Sequence, residues 1–211
     1  MTEFSAERFH RFVVTAHMHR IDPLDLYKWN AEVSGSFMVL IAHAEVLMRN
    51  AVARKFGQWS EERGFGPWYD NRHGMLHVRS LEAITDAKTR LTVRNVPISS
   101  NAVVAELNLG FWRSLVTKRY RTTLWPKVLS PAFTVDIDDK YRTVSRIISD
   151  MHVLRNRIAH HEHLLSRALD DDRRALLFLV RSVAPTGTLW VEASDTVARR
   201  IADDPRRKSR T

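Results

Sequence analysis

The chain has 211 residues, 44% of them hydrophobic, no cysteine, and 33 Lys plus Arg against 24 Asp plus Glu, a formal net charge of +9. That length suits one large domain or one domain with appendages, and the apolar content suffices for a real core. The lack of cysteine excludes a disulfide framework, a thiolate nucleophile and a thiolate metal ligand, and the excess of positive charge attracts polyanions at long range without naming one.

The opening stretch MTEFSAERFH has no apolar signal-peptide core. The best apolar run, Phe37 to Ala42, falls far short of the ~18 residues of a membrane span. A soluble, cytoplasmic protein with no membrane partner is expected. Few Gly and Pro, seven of each, argue against a many-stranded, turn-rich sandwich.

Helical signals dominate from Asp22-Pro23, an N-cap followed by Pro at the first helical position. Val33, Phe37, Leu40, Ile41, Ala44, Leu47, Met48, Ala51, Val52 and Phe56 keep the spacing of one helical face. One long helix is expected to Gly57, or two broken near Ser34-Gly35. Gly64 to Asp70 reads as a loop pinned by its aromatics. A helix follows over Met75 to Val93, broken by Asn95-Val-Pro97. Ser99 or Ser100 caps the next, which runs to Val116. Leu124-Trp-Pro126 and Ser130-Pro131 punctuate a connector.

A long helix is expected from Asp138 to Ala168 and another from Asp170 to Val183. Pro185 to Gly187 is a turn, Leu189-Trp-Val191 a short extended piece, and Ser194 to Ala202 a last helix. The reading is an all-α single domain over residues 1–203, with a basic, disordered tail over 204–211.

The segment LRNRIAHHEHLL, Leu154 to Leu165, is rich in titratable groups for a core helix. Val144, Ile147, Met151, Leu154, Ile158 and Leu165 form its apolar stripe. At ~100° per residue from Leu154, Asn156 lies near ~200° and His160 near ~240°, one turn apart on one face. His163 shares that face and Arg155 flanks it. His161 borders the stripe and Glu162 points partly into it, where each would find ordinary polar partners. His160 and His163 could share an ion, but no third ligand is evident and no metal or other cofactor is expected.

LRNRIAHHE resembles the signature of the Abi-like (abortive-infection) branch of the HEPN superfamily: Arg155, Asn156, three residues, His160. LYKWNAEVSGSF (Leu26 to Phe37), HAEVLMRNAV (His43 to Val52), GPWYD (Gly66 to Asp70), ELNLGFWRSLV (Glu106 to Val116) and LWP (Leu124 to Pro126) are similar to the family's preceding segments in the same order. The likeness covers about Leu26 to Val180. The family often continues HHE with Pro, where this chain has His163.

The resemblance implies a HEPN-like bundle of long antiparallel helices with extra short ones, often a homodimer whose two motif helices share a cleft. It also implies metal-independent RNA cleavage by a toxin or phage-defence effector, held quiet by an antitoxin or regulatory RNA. RNA brings its own 2′-OH nucleophile. Cleavage then needs a base, an acid and fixed positive charge at the phosphate. Histidine suits both proton roles and arginine the charge. His160 is expected as base or acid, Arg155 as transition-state stabiliser and Asn156 as positioning residue, with Glu45, Arg49 and His161 in support.

Glu45 and Arg49 read more readily as an ordinary helical ion pair. Arg113, Lys118, Arg119 and Arg121 form a denser basic patch that could track an RNA backbone or merely solvate a surface. Trp68, Tyr69, Trp112 and Trp125 could stack on bases but more often fill a core. The rival expectation is a HEPN module that binds RNA or nucleotide without cutting it, and a weaker one is a helical protein scaffold.

Overall fold

The computed structural model describes residues 6–208, and among these the chain is helical with no β-strand. Helix α1 (Ala6–His19) leads through a left-handed Arg20 into α2 (Pro23–Glu62), the 40-residue axis of the fold. Asp22 caps α2 as expected, its Oδ1 accepting from Leu24 N at 2.7 Å. The helix passes straight through Gly35 and Gly57. A glycine costs only about 1 kcal/mol in a helix interior, and α2 buries Val33, Phe37, Leu40, Ile41, Ala44, Met48 and Phe56. By length and composition alone α2 could also cross a bilayer. Here that apolar face is the centre of the core, packed mainly on α7.

The loop after α2 is pinned by its aromatics. Trp68 is buried, stacks on Phe56 with centroids 5.2 Å apart and donates from Nε1 to Ser100 Oγ at 3.2 Å. Helix α3 (Val78–Val93) ends at the left-handed Asn95. The single helix expected to Val116 is two: α4 (Ser100–Glu106), capped by Ser99, and α5 (Leu109–Leu115), capped by Asn108. Asn108 Oδ1 takes the Phe111 N–H at 3.0 Å, so a side chain replaces the backbone acceptor that a continuous helix would supply.

Tight turns over 118–120 and 125–132 carry the chain to α6 (Lys140–Ala159). Next come α7 (Leu169–Val183), α8 (Thr188–Ser194), α9 (Val197–Ala202) and α10 (Pro205–Lys208). Leu189-Trp-Val191, expected as extended, lies in α8. Only Val191 of the three is buried; Leu189 and Trp190 face out.

The loose tail expected from residue 204 is corrected as far as 208. Asp204 is buried, and Arg206 chelates its carboxylate, donates to Leu165 O at 2.7 Å and lies over the Trp29 ring at 5.1 Å. Residues 209–211 of that expected tail lie outside the described residues.

Helix α6 stops at Ala159, nine residues short of the expected Ala168. His160 is the C-cap, and its N–H still bonds Asn156 O at 2.9 Å. His161 then turns left-handed at φ 55°. The His161 N–H reaches Ile158 O at 3.0 Å and the Glu162 N–H reaches Arg157 O at 2.8 Å, which together make a Schellman stop. Glycine usually holds that position because an L side chain strains there by ~1–2 kcal/mol. His161→Gly is therefore expected to raise stability by about 0.5–1 kcal/mol after allowing for the extra freedom of the unfolded chain. A urea midpoint equal to or below the parent's would contradict this.

Candidate active site at the end of the sixth helix

The apolar stripe of α6 buries Val144, Ile147, Met151, Leu154 and Ile158. It leaves His152 and Asn156 half-buried and Arg155 and His160 exposed. Because His160 keeps the last helical hydrogen bond, His152, Asn156 and His160 follow one another at four-residue intervals along one ridge. Of the three expected site residues, Arg155 and His160 are exposed and Asn156 is half-buried at the open end of the helix.

The stop reassigns the residues beyond it. His161 and Glu162, placed at the apolar stripe by a continuous helix, are exposed. Glu162 folds back to Arg157, with Oε2 3.1 Å from Nε, so an ion pair closes the turn where a hydrophobic contact is usual. His163 leaves the Asn156 face. Its half-buried ring sits edge-on to Phe12 with centroids 6.3 Å apart, and burial, then Arg157 and Arg11, hold it below the ordinary histidine pKa. Among the described residues no three His, Asp or Glu side chains gather to hold a metal ion.

What fixes the turn comes from distant sequence. Buried Asn30 of α2 accepts the Leu164 N–H at 2.8 Å, and Arg206 takes the next carbonyl, that of Leu165. Neither anchor belongs to the motif.

The site makes few internal contacts. Arg155 Nη1 donates to Asn156 Oδ1 at 3.4 Å, and Asn156 Nδ2 donates to His152 Nδ1 at 3.5 Å. Both are long. His152 was not among the residues expected from sequence, although its place four residues before Asn156 puts it on the same ridge. Burial, then the charges of Arg113 and Arg155, lower its pKa and favour the neutral ring.

The remaining candidates scatter. Glu45 and Arg49 form no ion pair with each other; Arg49 lines a hollow against α4 with Asn50 and Ser100. Of the basic patch, Arg113 is half-buried, Arg119 reaches His77 Nδ1 at 3.4 Å, Arg121 lies over the Tyr141 ring at 5.1 Å and Lys118 is exposed. Trp68, Trp112 and Trp125 are buried core, so they offer no stacking platform. A separate cleft of about 880 Å³ between α6 and α7 has Arg146, Arg173, Arg174 and Arg181 in its walls, three of them already paired with carboxylates. No family model, curated protein or solved structure matches the chain, so its assignment rests on these residues themselves.

Proposed function

We propose that this chain is a metal-independent endoribonuclease of the HEPN type, cutting RNA by attack of its own 2′-OH. The observation that carries the reading is that Arg155, Asn156 and His160 fall at an abrupt helix end, the first and last exposed and Asn156 half-buried, with no carboxylate pairing Arg155 among the described residues. His160 moves the proton, Arg155 neutralises charge growing on the non-bridging oxygens, and Asn156 orients one or the other. A second proton-transfer group comes from the partner's copy of this helix in a homodimer. A cytoplasmic toxin or abortive-infection effector, restrained by an antitoxin or regulatory RNA, fits that chemistry.

One observation favours the binding-only reading instead. The His160 side chain has no hydrogen-bond partner among the described residues to fix its tautomer, which an active base ordinarily needs. End-labelled RNA separates the two. Incubated with the pure protein, RNA is expected to yield fragments ending in 2′,3′-cyclic phosphate and 5′-hydroxyl, while the all-deoxy strand of the same sequence stays whole. RNA retained intact on the protein would support the binding module and overturn the nuclease.

A further inference from the structure

We propose that the hollow between α2 and α4 is a binding site for a nucleotide, held by its phosphate. The site lies outside the motif and does not rest on the nuclease reading.

The hollow has a volume of about 560 Å³, within the range of small-molecule sites. From α2 come Arg49, Asn50, Ala53 and Arg54, at i, i+1, i+4 and i+5, which is one helical face. From α4 come Ser100, Asn101, Val104 and Ala105, at the same intervals. The polar groups of the two walls are thus two guanidiniums, two amides and a hydroxyl; the rest are small aliphatic side chains. No carboxylate stands among them. Three other hollows of the surface differ: one has Asp70 in its walls, another Asp171 and Glu192, a third Asp170, Asp171 and Asp204. Arginines are common on this protein, but here two of them share a hollow with no acid in its lining. Neither is in an ion pair among the described residues.

The hydroxyl is set by the core. Trp68 Nε1 donates to Ser100 Oγ at 3.2 Å, and an indole N–H can only donate. The Ser100 proton is therefore left for an acceptor elsewhere. Two guanidiniums and a free hydroxyl proton match the oxygens of a phosphate. Asn50 and Asn101 each donate and accept, which suits the edge of a base. No side chain larger than valine stands on the remaining wall, so a sugar and a base have the rest of the volume.

The place is remote from the motif. Asn30 of α2 holds the motif turn at Leu164. Arg49 lies nineteen residues further along the same helix, about 28 Å at the ordinary rise. The nucleotide bound here is either free or one residue of a strand that continues across the surface.

The test uses the full chain with adenosine 5′-monophosphate, with adenosine, and with a short all-deoxy strand, which lacks the 2′-OH and is not cut. Calorimetry gives the affinity, and the Trp68 indole N–H resonance reports on Ser100. The monophosphate is expected to bind and to move that resonance, with adenosine about tenfold weaker or more. Arg54→Gln and Asn101→Asp, both at exposed positions, should each weaken the monophosphate about tenfold, with amide spectra showing that they fold. A deoxy strand that binds more tightly than the monophosphate, and is weakened by the same variants, identifies the ligand as a strand; one that binds no better identifies it as a free nucleotide. The proposal is overturned if neither ligand moves the Trp68 resonance, if adenosine binds as well as its monophosphate, or if both variants bind as the parent does. A protein that binds the monophosphate here but leaves RNA intact keeps this site and loses the nuclease. One that cuts RNA while the Trp68 resonance stays still keeps the nuclease and loses this site.

Discussion

Replacing His160 by alanine is expected to lower RNA cleavage by about 10²–10⁴-fold, the range that a positioned proton-transfer group supplies. The variant should fold as the parent does. The His160 side chain is exposed, and the helix end uses only the backbone N–H of that residue, which alanine retains. Circular dichroism and a melting curve check the fold; initial rates on labelled RNA check the chemistry. Cleavage at the parent rate would remove His160 from the mechanism. Addition of EDTA to the parent should leave its rate unchanged.

Asp195→Ala is expected to cost about 3 kcal/mol and to lower Tm by roughly 6–12 °C. The Asp195 carboxylate is fully buried, lies 2.5 Å from Arg173 Nε and also accepts the Val197 N–H at 2.8 Å at the start of α9. Removing it strands a guanidinium and uncaps a helix together. The estimate sits at the low end of the range for buried pairs because Arg173 keeps partial contact with water. Asp171→Ala, which deletes an exposed partner of Arg174, should change stability by no more than about 1 kcal/mol. Calorimetry on the two variants decides, and equal melting temperatures would refute the argument.

Much of the fold was legible because it follows local rules. The Asp22-Pro23 start, the Ser99 cap and the 3–4 spacing through Phe56 each rest on residues a few positions apart. The all-α character follows from their sum. Helix α1 was also legible in principle, since Phe9, Phe12 and Ala16 repeat at helical spacing. The motif helix was overrun because its stop lacks the usual glycine; a histidine fills the left-handed position and the pattern of apolar residues continues through Leu164 and Leu165. Glycines at 35 and 57 suggested breaks that the burial along α2 overrides.

The site divides in the same way. Arg155, Asn156 and His160 lie within one turn and a half, so their grouping could be read from spacing. The closeness of Gly110 to His152 depends on how α5 docks against α6, which no local pattern encodes. The same holds for Asn30 and Arg206 at the motif turn, and for the docking of residues 204–208. A basic run reads as solvent-loving until Trp29, Asp204 and the Leu165 carbonyl are known to wait for it.

That last contact bears on when the protein becomes competent during synthesis. The turn behind His160 depends on a guanidinium translated some forty codons later, so a chain still threaded in the ribosome must leave the turn half-fastened. At ~5–20 residues per second the delay is a few seconds. A nuclease assembled in this order would be spared from attacking the messenger and ribosome that are making it.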